Sequence, residues 1–255
     1  GEAPPRDLAF GGDVRLRGYD LENQFDSDDD DERDHLRAMR LRTRVWLRVA
    51  LERDVRGEIR LANQNWGEGV TYPPGGEGDR WEVDNLSNKV FVDAAWLEVG
   101  RLLGLPLALR AGRQSLMYGS GFVLFDGQSQ FASTSVYLDG LKLRATPGER
   151  WTADLFWLKD QENARDEAAH DDLTVSGAYL THDSRWADGT EEAYVLRRED
   201  EIRGKDVWLV GGRVAHTHAW GLDTSLEGGL QRGDATRDLE HEAWGVKTEA
   251  GWRPG

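Results

Sequence analysis

The chain has 255 residues, 32 basic against 47 acidic, for a formal charge of −15, and it has no cysteine. This excludes disulfides and thiolate metal sites, and the acidic balance argues against nucleic acid as a main partner. No run reaches the roughly 20 apolar residues of a spanning helix, and the first residues lack the basic and apolar regions of a signal peptide, so an exported form has already lost its signal.

Twelve extended segments are predicted, near 8–23, 36–53, 55–66, 89–100, 106–118, 135–145, 151–160, 172–183, 190–198, 206–217, 220–232 and 241–252, with no helix between them. The second is the clearest. Leu41, Thr43, Val45, Leu47, Val49 and Leu51 alternate with Arg40, Arg42, Arg44, Trp46, Arg48 and Ala50. A helix would scatter those arginines round its circumference, whereas period-two alternation sorts them onto one side of a strand. The run is longer than the usual soluble strand and suits one that spans a bilayer. In the third segment Val55, Gly57, Ile59 and Leu61 alternate with Arg56, Glu58, Arg60 and Ala62. The phase of 89–100 stays open, because Phe91, Ala95, Leu97 and Val99 compete with Val90, Val92, Ala94 and Trp96. Further on, Leu107, Leu109 and Ala111 alternate with Ala108, Arg110 and Gly112, and Leu173, Val175, Gly177 and Tyr179 share a face.

The connections alternate in length. Long ones at 24–35, 67–88, 119–134 and 161–171 are each followed by a short one, near 53–55, 101–105, 146–150 and 184–189. Outer-membrane barrels have this asymmetry, with short turns on the periplasmic side. Aromatic residues fall at predicted strand ends (Trp66, Tyr72, Trp81, Tyr118, Phe122, Phe125, Trp151, Trp186, Trp220 and Trp252), as girdles at two membrane interfaces require. Mean hydropathy is −0.66, which a barrel tolerates because half of each strand can be polar. The fold expected is an all-β, antiparallel, up-and-down transmembrane barrel. About twelve strands lie in this chain, as a single domain over 1–255 that is cut at its C-terminal end and belongs to a barrel of 16–18 strands.

Charge is segregated. Acids crowd the loops, with Asp28–Asp31 read as a solvated tip that lacks the spacing of a calcium-binding loop. Arginines occupy strand interiors: Arg40, Arg42, Arg44 and Arg48, with Arg56, Arg60, Arg110 and Arg113 beyond them. In hydrocarbon each would cost about 2–4 kcal/mol at the midplane, so their face is expected to meet water. Two readings stand side by side. The guanidinium groups line a path for anions, or they pair with Glu58, Glu98, Asp139 and Asp154 and brace the wall. Gly112-Arg113-Gln114 is either a group facing the lumen or a glycine-relieved kink. The loop 119–134, with Phe122, Phe125 and Asp126, is expected either to fold inward as a constriction or to lie over the rim. His216 and His218 have metal-ligand spacing but flank a predicted turn, where polar residues are expected anyway. No nucleophile, phosphate-loop or zinc motif is present, so no catalytic residue, metal or cofactor is assigned.

Ala95-Trp96-Leu97-Glu98, then Leu107 to Gly119 with Gly112-Arg113-Gln114 and Tyr118-Gly119, then Tyr137-Leu138-Asp139-Gly140, resemble the alginate-export family of outer-membrane porins. Gly177-Ala178-Tyr179 followed by Glu192-Ala193-Tyr194 resembles a later hairpin of that family. The resemblance implies an eighteen-stranded channel that exports an acidic polysaccharide through an arginine-lined pore. The expected partners are outer-membrane lipid and lipopolysaccharide, an anionic solute or polyuronate, and a partner chain or periplasmic lipoprotein subunit. A general nutrient-uptake porin and a soluble carbohydrate-binding β-protein are the alternatives.

Overall fold

The structure is a computed structural model that describes residues 7–21, 36–52, 54–66, 90–124, 136–161, 172–184, 188–200 and 204–253. The acidic run Asp28–Asp31, Tyr72, Trp81, Phe125, Asp126 and Trp186 lie outside them, as do the side chains of Arg40 and Trp66. Twelve strands are described. The first six are β1 (Asp7–Leu21), β2 (Leu36–Glu52), β3 (Val55–Trp66), β4 (Val90–Val99), β5 (Leu107–Gln114) and β6 (Leu138–Ala145). The others are β7 (Trp151–Gln161), β8 (Asp172–Asp183), β9 (Asp188–Asp200), β10 (Lys205–Thr217), β11 (Leu222–Thr236) and β12 (Leu239–Trp252). Their order in the sheet is their order in the chain, and the ladders traced from β4 to β12 are all antiparallel. The expected all-β up-and-down topology is therefore present.

The chain forms two units. One comprises 7–49 and 58–93. In it Leu8, Phe10, Val14, Leu16, Leu41, Val45, Leu47, Ile59 and Leu61 are exposed, while Arg42, Glu58 and Ala62, at the alternate positions, are buried. Among the described residues no second layer covers these aliphatic side chains. Gly11 makes room on the polar side: a Cβ there would lie 2.3 Å from the Trp46 ring, over which the Arg48 guanidinium sits at 4.3 Å.

The other unit comprises the described residues of 50–57 and 94–253. Leu97, Leu141, Leu155, Trp157, Val210, Val214, Leu226, Trp244 and Val246 form its exposed aliphatic face. Glu98, Asp154 and Glu227 are buried on the opposite, ion-paired face. Along β4 the parity changes: Val90 and Val92 are exposed and Asp93 buried, then Leu97 and Val99 are exposed and Glu98 buried. Both phases open in the sequence are thus used in turn.

The expected strand 106–118 is shorter than predicted. β5 ends at Gln114, and the chain then leaves the sheet to cross its ion-paired face. Leu116, although it continues the alternation, is buried against Leu138, Phe156, Leu158, Val175, Tyr179, Tyr194 and Leu196. Tyr118, Val123, Leu124, Leu173 and Leu209 close this cluster. Each large apolar side chain buried there contributes about 1.5–3 kcal/mol, more than a few further ladder hydrogen bonds would supply. The ion-paired face therefore carries an apolar patch of its own under Leu116 and Tyr118.

Candidate functional site: an ion-paired wall with a segment laid across it

In the unit built on β1–β3, Asp13 on β1 accepts from Arg44 Nε at 2.8 Å. Arg48 on β2 donates to Glu58 on β3 at 2.9 Å. Arg60 donates to Asp93 on β4 and lies 3.3 Å from Glu58. Arg42 is buried with Nη2 4.0 Å from Asp13, and its Nε and Nη1 have no hydrogen-bond partner among the described residues. In the other unit Glu98 on β4 takes two forks, Arg56 Nη2 and Arg110 Nη2, each at 2.6 Å. Asp154 on β7 receives Arg144 through Nε and Nη2, both at 2.7 Å, with Lys142 3.9 Å away. Arg213 on β10 lies between Glu192 at 3.1 Å and Glu227 at 3.9 Å.

The carboxylates lie deep and the guanidiniums rise above them. Side-chain exposure is 53% for Arg48 against 8% for Glu58, 66% for Arg56 against 8% for Glu98, and 46% for Arg144 against 2% for Asp154. A short acid stays at the wall while the longer arginine reaches past it. Arg44 and Asp13 are the reverse, with the acid more exposed. The pairing with Glu58, Glu98 and Asp154 expected from the sequence is present and leaves positive tips above the acids, whereas Asp139 is paired on the other side of the strand and is more exposed than its arginine. Exposed pairs of this kind contribute little stability each. Removing one of the buried acids leaves cations without their counter-charge and is costly.

Arg113 stands apart from Arg110. The register sets Ala111 opposite Leu141 and Arg113 opposite Asp139, so alternation puts Arg113 on the aliphatic side, at the strand end. There it holds Asp139 through Nε and Nη2 at 2.9 and 2.7 Å and covers the Tyr137 ring at 4.5 Å. The placement corrects the expectation that Arg110 and Arg113 line one path. Gly112 between them has φ +115, and a Cβ would lie 2.2 Å from the Ala95 carbonyl oxygen.

Residues 115–124 run over one register row. Arg144 pairs with Asp154, Asp154 with Tyr179, Tyr179 with Tyr194, and Tyr194 with Gly211. Gly211 in turn pairs with Gly229 and Gly229 with Gly245. At one end the Tyr118 hydroxyl donates to Asp154 at 2.7 Å, and its ring stacks on Tyr179 at 4.2 Å and on Phe156 at 5.7 Å. Burial first, then the Asp154 charge, push this hydroxyl above its ordinary pKa, so it stays a donor. Further along, Ser120 Oγ donates to Glu227 at 2.7 Å. At the far end a Cβ on Gly245 would come within 3.1 Å of the Phe122 ring. The three glycines lower the wall where the segment passes. Tyr118 and Phe122, read as girdle aromatics, therefore lie on the ion-paired face. Trp151, Trp220 and Trp252 are exposed at strand ends, as expected of a girdle.

His216 and His218 face different partners: His216 Nε2 is 3.9 Å from Glu191, and His218 Nε2 is 3.1 Å from Thr224 Oγ1. Among the described residues no group of three or more acidic or histidine side chains is arranged to hold a metal. Sequence reasoning missed Tyr179, Glu192, Arg213 and Glu227. Leu-Lys-Leu-Arg at 141–144 was a legible sign that Lys142 and Arg144 share the polar side.

No protein-family model and no curated protein matches the chain. Solved structures do, and they define a class by fold: the chain has the antiparallel up-and-down β fold of the outer-membrane porins. The particular structures are those of Pseudomonas aeruginosa OccK2 (OpdF). Alone it is 11% identical with a TM-score of 0.58, and in complex with glucuronate 10% identical with a TM-score of 0.56. In both, the match covers 98% of this chain and 61% of the other. Salmonella typhi OmpF, in complex with daunomycin, is 12% identical with a TM-score of 0.44 over 99% of this chain and 87% of that one.

Proposed function

We propose that this chain is part of the wall of a water-filled outer-membrane channel, a passive conduit and not an enzyme, that passes anionic solutes or an acidic polysaccharide. The observation that carries the reading is the division of each strand. Aliphatic side chains stand uncovered on one side, and the other carries deep carboxylates beneath raised guanidiniums. The first side suits acyl chains and the second suits water, with positive tips toward a passing anion. Residues 115–124, with Phe122, act as an inward constriction, and many weak guanidinium contacts in series let a solute move without being trapped. Because OccK2 has been seen with glucuronate, uronates are the first solutes to try.

The test is reconstitution in planar bilayers under a potassium chloride gradient. The reversal potential is expected to lean toward chloride in the parent and toward potassium in the triple variant R42E/R44E/R48E. Added polyuronate is expected to block the parent current. An unchanged reversal potential removes the arginine path, and the absence of any conductance removes the channel.

A further inference from the structure

On the aliphatic face, at the end of the strands where connections 146–150 and 218–221 lie, a polar cluster interrupts the apolar surface. Glu191 on β9 is directly opposite His182 on β8, and its Oε2 is 3.0 Å from His182 Nδ1. Its Oε1 is 3.9 Å from His216 Nε2 on β10, and the side chain is 44% exposed. The Trp151 ring on β7 stacks on His182 at 4.3 Å. Glu191, His182, Trp151, Arg150 and Glu149 line one depression of about 390 Å³. In the next row up the face, Ala153 pairs with Leu180, Leu180 with Ala193 and Ala193 with Gly212. These residues lie side by side across four strands just above the carboxylate, and three of the four are small, which leaves a shallow lane beside Leu180.

We propose that this depression seats the headgroup of a phospholipid bearing a primary ammonium, phosphatidylethanolamine, with an acyl chain in the lane above it. The chemistry has three parts. Glu191 accepts from His182 and Ser184 but is 44% exposed and keeps further lone pairs, and among the described residues lining the depression it and Glu149 outnumber the one guanidinium, so the seat favours a cation that can donate. Arg150 supplies the fork for the adjoining phosphate. His182 covers one face of Trp151, which weakens the ring as a cage for a quaternary ammonium and tilts the choice from choline to ethanolamine. Short turns face the periplasm in barrels of this type, where the leaflet is glycerophospholipid. The inference rests on the membrane reading above.

The experiment is native mass spectrometry of the full chain released from detergent with equal amounts of phosphatidylethanolamine and phosphatidylcholine of identical acyl chains. Bound ethanolamine lipid is expected to exceed choline lipid severalfold, and Glu191→Gln to bring the ratio to near one. Glu242→Gln, an exposed acid on β12 paired with Arg232, is expected to leave the ratio as in the parent. Equal retention by the parent, a preference for choline lipid, or a ratio in Glu191→Gln that matches the parent overturns the seat. So does stronger binding of phosphatidylglycerol than of phosphatidylethanolamine, which would leave Arg150 as a simple anion contact. Protein that conducts in bilayers yet fails this comparison loses the seat alone; protein that neither inserts nor retains lipid loses the membrane reading as well.

Discussion

Tyr118 ties residues 115–124 to the wall by two separable means. Its hydroxyl donates to the buried Asp154 at 2.7 Å, and its ring stacks on Tyr179 at 4.2 Å. Tyr118→Phe removes only the first. A hydrogen bond to a charged acceptor is worth about 1.5–3 kcal/mol, and about 2 kcal/mol raises the population of the detached segment roughly 30-fold. Tyr118→Ala removes the ring as well, and losing a buried aromatic costs about 3–5 kcal/mol where the site cannot collapse. Hydrogen–deuterium exchange of residues 115–124 in the reconstituted protein reads the opening directly. The order expected is parent slowest, Y118F intermediate, Y118A fastest, with the ladders of β7–β9 unchanged. Adding D154N to Y118F is expected to speed exchange by less than the two single effects combined, because both cut the same bond. Exchange in Y118F and Y118A within twofold of the parent would refute the tether.

Gly112→Ala places a methyl group 2.2 Å from a backbone carbonyl at φ +115; about 2 kcal/mol or more of destabilisation is expected, read as a lower urea midpoint in liposomes. Leu155→Arg, on the exposed aliphatic face, is expected to cost about 2–4 kcal/mol in the same assay, and no loss would mean that this face does not meet hydrocarbon. Gly245→Val brings side-chain atoms against the Phe122 ring, already 3.1 Å from a Cβ there. It is expected to speed exchange of 115–124 while leaving the urea midpoint nearly unchanged.

The strand wall was largely legible in the sequence because alternation is a local signal. Leu41, Val45, Leu47 and Leu51 are exposed and Arg42 is buried on the other side, as their positions require. β4 resisted because its parity changes near Asp93, which no run of residues in one phase reveals. The end of β5 was misread for a different reason. Leu116 and Tyr118 alternate as strand residues do, but what captures them is a surface formed by Phe156, Tyr179 and Leu196, brought together by pairings dozens of residues away. Arg113 was grouped with Arg110 on residue type, although a separation of three puts the two on opposite sides of a strand. The arginine–carboxylate partners were partly anticipated, since Glu58, Glu98 and Asp154 also stand in strand interiors. Which member of each pair would reach furthest from the wall was not, because depth depends on the neighbouring strand's register.

That difference in reach has a consequence of its own. Arginine is a long arm and aspartate a short one, so a barrel laced across its seams by such couples turns its cationic ends to the water as a by-product of being laced. Its taste for solutes and its mechanical bracing then draw on the same stitches. A lineage that needed a tighter wall would become more attractive to negative cargo without any selection for that cargo.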